Sequence, residues 1–125
     1  RVLKPGGIVA VSDWMRIDDN SPSIQMQEYI SSEGLDMYMY SLKRYEHALK
    51  NTGFIDVVIK DRNAWYLGKA QQELAAIEGS LNKKIIDAIG PEETSGAIDI
   101  WKKLIGVLEC GEHRPGHFKA VKKIN

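Results

Sequence analysis

Residues 1–15 read RVLKPGGIVAVSDWM, and this stretch decides the fold class. Arg1 to Lys4 reads as the last turn of a helix, stopped by Pro5 and the Gly6-Gly7 pair. Ile8 to Val11 follows as a continuous apolar run rich in β-branched residues, the pattern of a strand buried on both faces. The run ends at Ser12-Asp13-Trp14. A helix end feeding a short buried strand belongs to an α/β chain, and because domains seldom open on the end of a helix, the chain is expected to be part of something longer.

Working outward, Arg16 to Ser23 has loop composition (Asp18, Asp19, Asn20, Ser21, Pro22) and supplies a start for a helix over about 25–32, with Met26, Tyr29 and Ile30 on one face. A second amphipathic helix is predicted from about Ser41 to Asn51, carrying Leu42, Tyr45 and Leu49 and leaving through Thr52-Gly53. Phe54, Val57, Val58 and Ile59 form a second strand signal that ends at Lys60-Asp61-Arg62, so strand, helices and strand follow one another as in a βαβ crossover. From Ala64 to about Leu108 the pattern is helical, broken near Ser80 and at Gly90-Pro91, with Leu74, Ile77, Leu81, Ile85, Ile86 and Ile89 at helical spacing. Gly111 to Gly116 is a turn-rich link. His117 to Ile124 then alternates apolar and basic residues as an edge strand would. The expected organisation is one partial domain over 1–125 with a helical insert at about 64–108.

Of the 125 residues, 43% are apolar and 27% charged, which suits a packed soluble domain rather than a disordered tail. Lys plus Arg and Asp plus Glu are 17 each, so the chain lacks the basic excess that nucleic-acid binding needs. Cys110, the single cysteine, has neither a disulfide partner nor metal-ligand spacing around it, which argues against a structural metal and for a reducing, cytoplasmic setting. No apolar run approaches the roughly 20 residues that span a bilayer, and no membrane association is expected.

Three ordered segments carry a family resemblance: RVLKPGGIVAVSDWM, then KNTGFIDVVIKDR, then GHFKAVKK. Together they resemble class I S-adenosylmethionine-dependent methyltransferases, the first segment matching the turn into the fifth strand, the second the sixth strand and the third the antiparallel seventh. The insert and the Glu28-Tyr29-Ile30 segment are most similar to phosphoethanolamine methyltransferases, with sarcosine and dimethylglycine methyltransferases close behind. The resemblance implies the C-terminal portion of a Rossmann-like sheet, its last three strands, with a helical insert between the last two. It implies S-adenosyl-L-methionine as cofactor, held mainly by a preceding half whose glycine-rich loop is not in this sequence, and a catalytic histidine and tyrosine upstream of Arg1. The chain alone is then expected to be inactive, and the open edge of its first strand to favour self-association.

In such sheets ligands sit beyond the carboxyl ends of the strands, which puts Ser12, Asp13, Trp14 and Arg62 near the cleft. By resemblance Trp14 occupies the place of a pocket-lining tyrosine and Tyr29 that of another. An aromatic face stabilises a methylated ammonium or a sulfonium, and Asp13 suits a hydrogen bond from a substrate amine. Phosphoethanolamine methyltransferases carry an arginine and a tyrosine for the substrate phosphate where this chain has Glu33 and Leu35, and a late-helix lysine near Leu104, with Lys102 and Lys103 beside it. Glu33 repels phosphate and suits a cationic acceptor, with Tyr38 or Tyr40 as further wall residues. The expected acceptor is a small molecule, most simply an amine of the sarcosine/dimethylglycine or phosphoethanolamine type. The alternatives are an O- or C-methyltransferase of natural-product type, or an α/β interaction module that keeps the scaffold without the chemistry.

Overall fold

The computed structural model describes residues 2–124. Its elements run β1 (Ile8–Asp13), α1 (Ile24–Glu33), α2 (Leu42–Asn51), β2 (Phe54–Asp61), α3 (Asn63–Glu78), α4 (Asn82–Ile89), α5 (Pro91–Glu109) and β3 (Gly116–Lys122). The chain divides into two compact units: residues up to 20, 38–63 and from 112 on form the first, and 21–37 with 64–111 the second. The helical insert therefore shares its unit with α1, a partnership that lies outside the 64–108 window.

The first unit is built on a three-stranded sheet in the order β1-β3-β2, with β3 antiparallel to both neighbours. β1 and β2 are thus parallel to one another, as a crossover requires, but the closing strand lies between them and not at an edge. Its alternation suits either place: Phe118 and Ala120 are buried on one face, while His117 and Lys119 point to the other, and both edges of β3 find partners. β1 is likewise not buried on both faces. Val9 and Val11 are half-buried opposite Ala120 and Phe118, whereas Ile8, Ala10 and Ser12 are exposed on the face away from α2. The expected helical turn before Pro5 is absent from Val2–Lys4; Arg1 lies outside the described residues.

Local chemistry explains the boundaries. Gly6 takes a positive φ of 74°, and its N–H donates to the Lys122 carbonyl at 2.9 Å, which ties the turn before β1 to the end of β3. Ser41 caps α2 by accepting from Arg44 N–H at 3.1 Å, while its own N–H and hydroxyl each donate at 2.8 Å to the Asp19 carboxylate. The hydrogen bond from the Ser41 N–H holds the Asp19 carboxyl below its ordinary pKa. β2 carries one extra residue between Ile55 and Val58, and Asp56 there has a φ of 51°, which makes a bulge.

In the second unit Met26, Tyr29, Ala70, Val107 and Leu108 are buried. α1 packs on α5, and Met26 and Tyr29 fall three apart on its buried face. α1 starts at Ser23, whose hydroxyl accepts from Met26 N–H, and ends at Gly34 with a φ of 67°. α5 starts at Pro91, with Glu92 and Glu93 in the first turn favouring the positive end of its dipole. No helix among the described residues is long and apolar enough to cross a membrane.

Candidate functional site

Because β1 and β2 are parallel and β3 opposes both, one rim of the sheet collects the end of β1 at Asp13, the end of β2 at Asp61 and the start of β3 at Gly116. Gly116 is squeezed there: a Cβ would lie 2.5 Å from the Lys60 carbonyl oxygen and 2.9 Å from Met15 Cε. The segment before it is stitched to both strand exits. Arg114 N–H donates to the Met15 carbonyl at 2.7 Å, Ile17 N–H to the Glu112 carbonyl at 3.0 Å and Arg62 N–H to the Pro115 carbonyl at 2.9 Å. Asn63 Nδ2 donates to the His113 carbonyl at 2.8 Å, and ion pairs join Arg114 to Asp61 at 3.2 Å and Arg16 to Glu112 at 3.1 Å.

Asp13 is held by two donors. Its Oδ1 accepts from Trp14 N–H at 2.8 Å and its Oδ2 from the Tyr45 hydroxyl at 2.5 Å. Tyr45 reaches down from α2 with its ring stacked on Phe118, centroids 4.9 Å apart. Burial, and then the bond to Asp13, push the Tyr45 phenol up to about 12. Tyr40 meets Tyr45 edge-on, and the Arg44 guanidinium lies 4.0 Å over the Tyr40 ring.

Trp14 is 37% exposed at this rim, and its ring meets that of His113 edge-to-face, 5.7 Å between centroids and 87° between planes. His113 is fully buried, with Nδ1 3.2 Å from the Met15 carbonyl oxygen. Burial pulls its pKa down to about 4 against the opposing effect of that hydrogen bond, so the imidazole is neutral at pH 7.

Of the residues expected to bind substrate, Asp13, Trp14 and Arg62 stand together at the rim. Tyr38 precedes α2 in the same unit and is 82% exposed. Tyr29 and Glu33 lie one turn apart on α1, where Tyr29 is fully buried. Its burial, and then the hydrogen bond and charge of Glu33, raise its phenol above the ordinary value. Lys103 on α5 pairs with Asp99 at 2.7 Å and lines a shallow depression with Ile24, Gln27, Glu28, Ser31 and Ser32. Those α1 residues occupy the side of the helix opposite Tyr29 and Glu33, so Lys103 does not converge with that pair. His117 points away from the rim, onto the exposed sheet face beside Lys60 and Lys119. His47 is exposed on α2. No group of His, Cys, Asp or Glu that would hold a metal ion occurs among the described residues.

Tyr45 is the rim residue that sequence reasoning missed. Its spacing with Leu42 and Leu49 marks the buried side of α2, and nothing in that pattern shows that its hydroxyl meets a carboxylate 32 positions earlier.

No protein-family model matches the chain. It is 34% identical over 120 residues to a phosphoethanolamine N-methyltransferase of Triticum aestivum, covering 96% of this chain and 23% of that protein. It is 32% identical over the same span to phosphoethanolamine N-methyltransferase 1 of Arabidopsis thaliana, covering 24% of it. The chain thus spans about a quarter of the length of these curated relatives. Among solved structures it resembles phosphoethanolamine N-methyltransferase 2 of Haemonchus contortus in complex with phosphomonomethylethanolamine and S-adenosylhomocysteine, with a TM-score of 0.87, 25% identity and coverage of 99% of this chain and 28% of that one. A putative sarcosine dimethylglycine methyltransferase of Galdieria sulphuraria shares the fold at a TM-score of 0.82 and 22% identity, covering 98% of this chain and 44% of that one. In sequence and fold the chain is similar to one part of a class I methyltransferase.

Proposed function

We propose that the chain is the C-terminal, acceptor-side part of an S-adenosylmethionine-dependent methyltransferase that acts on a small amine. The observation that carries the reading is the 34% identity to a phosphoethanolamine N-methyltransferase across 96% of the chain. The β1-β3-β2 order, which places Asp13, Trp14 and Arg62 at one rim, supports it.

The cofactor supplies an electrophilic methyl group on a sulfonium. The turns leaving β1 and β2 are not glycine-rich: residues 14–23 contain no glycine and Arg62 leads directly into α3. They do not fit a nucleoside cradle, and the work of these residues lies with the acceptor. Methyl transfer asks little covalent help of the protein; the acceptor must be aligned, desolvated and stripped of its proton. Asp13 accepts a hydrogen bond from the substrate amine with the lone pairs that Trp14 N–H and the Tyr45 hydroxyl leave over. Trp14 presents an aromatic face to a cationic, methylated nitrogen. Arg62 offers a cation to an acidic group on the acceptor, with the exposed Tyr38 of the same unit as a further wall residue.

The test is transfer of labelled methyl from S-adenosylmethionine to phosphoethanolamine, its monomethyl derivative, sarcosine and dimethylglycine, by the longest natural protein that contains this sequence and by the chain alone. Labelling of one or more amines by the longer protein supports the reading. Absence of both cofactor binding and amine labelling overturns it in favour of an interaction module, and labelling confined to oxygen or carbon acceptors overturns the amine assignment.

A further inference from the structure

We infer that His113 is a positioning residue whose ring, packed edge-to-face on Trp14, sets the orientation of the aromatic wall at the end of β1. The inference rests on the methyltransferase reading only for the meaning of that wall.

Trp14 stands at a strand exit with part of its surface open to solvent. Its backbone is fixed, since Asp13 Oδ1 accepts its N–H, and its ring orientation is set by what packs on the ring. His113 packs on that ring edge-to-face from the other end of the sequence. It is fully buried, pairs with Arg16 in an isolated antiparallel bridge, and has its carbonyl tied to Asn63 Nδ2. Its ring therefore cannot follow Trp14 if Trp14 turns. An aromatic contact of this geometry favours the rotamer that makes it over its rivals.

His113 also has a structural duty, because Nδ1 faces the Met15 carbonyl. That carbonyl already accepts from Arg114 N–H at 2.7 Å, so removing the imidazole nitrogen leaves it partnered. The ring contact and the Nδ1 contact are separable by substitution. His113→Phe keeps a ring against Trp14 and gives up the nitrogen. His113→Asn keeps a nitrogen near the position of Nδ1 and gives up the ring.

Trp65→Phe and Trp101→Phe together leave Trp14 as the one tryptophan of the original 3, so its fluorescence and near-ultraviolet circular dichroism can be followed in the chain itself. If the ring sets Trp14, His113→Phe retains the emission maximum and the aromatic dichroism, whereas His113→Asn shifts emission to the red and weakens the dichroism. In the longer protein His113→Asn raises the acceptor KM about tenfold while kcat and the cofactor KM stay within about twofold, and His113→Phe leaves all three within about twofold. Should His113→Phe not fold, His113→Leu, which is apolar but has no ring, is expected to shift emission as His113→Asn does. An unshifted spectrum in His113→Asn or His113→Leu, or rescue of the acceptor KM by asparagine and not by phenylalanine, overturns the inference. Failure of the parent protein to methylate any amine would overturn the proposed function instead, while the fluorescence comparison would still decide the role of His113.

Discussion

The Tyr45 hydroxyl donates a 2.5 Å hydrogen bond to Asp13 Oδ2, joining the middle of α2 to the last residue of β1. The bond fixes one carboxylate oxygen at the rim, and the ring that delivers it is fixed in turn by its stack on Phe118. Tyr45→Phe keeps the stack and removes the bond, and is expected to cost about 1–3 kcal/mol of stability in urea unfolding. In the longer protein it should also raise the acceptor KM. An unchanged urea midpoint would show that the bond contributes nothing net.

Burial of the Tyr45 phenol, together with this contact, sets an alkaline limit. The phenol of Tyr45 is raised in the folded chain from its ordinary 10.0 to about 12, so the stability it contributes is fully present below pH 10 and is lost as the pH rises towards 12. Absorbance titration of phenolate in the wild type and in Tyr45→Phe should show the missing tyrosine as one that ionises near pH 12, later than an ordinary phenol but before the fully buried Tyr29. Loss of an ordinary, pH 10 component would contradict the assignment.

His113 sets an acid limit of the opposite sense. Its folded pKa of about 4 lies below the 6.5 of the unfolded chain, so the unfolded state takes up the proton first. Stability is therefore full above about pH 6.5 and falls as the pH drops towards 4, by about 3 kcal/mol over that window. Urea midpoints at pH 7, 5.5 and 4.5 should decline more steeply in the wild type than in His113→Phe. Parallel profiles would refute the buried neutral imidazole.

Two glycines should respond oppositely to alanine. At Gly116 a Cβ meets the Lys60 carbonyl at 2.5 Å, a backbone atom that cannot yield without breaking the sheet, and Gly116→Ala is expected to cost about 1–3 kcal/mol. At Gly106 a Cβ also meets an atom at 2.5 Å, but that atom is Nε2 of the exposed, flexible Gln25. The clash is relieved by a side-chain rotation, and alanine gains about 1 kcal/mol of helix propensity inside α5, so Gly106→Ala should be neutral or stabilising. Thermal unfolding of the two variants decides the contrast.

β1 bonds β3 along one edge, and among the described residues no strand pairs its other edge. The isolated chain is expected to self-associate through that edge in a concentration-dependent way, and Ala10→Lys to suppress the association. Sedimentation equilibrium giving a monomer at every concentration would remove the expectation.

What the sequence by itself determined is local. Ser23 and Ser41 as helix starts, Thr52-Gly53 as an exit, the breaks near Ser80 and at Gly90-Pro91, and the two strand runs all depend on residues within a few positions of one another. Caps, breakers and hydrophobic period act at that range, and each lies where its chemistry put it. The ordered resemblance of three segments extended this to the fold class and to a rim bearing Asp13, Trp14 and Arg62. Tertiary structure alone decided that β3 enters between β1 and β2, because an alternating strand pairs equally well at an edge or in the middle until its neighbours are known. It alone brought Tyr45 to Asp13 and His113 to Trp14, and turned Lys103 to the side of α1 away from Tyr29 and Glu33. Side-chain meetings across tens of residues arise from packing that no local pattern encodes, which is why the rim was legible as a place and its internal bonds were not.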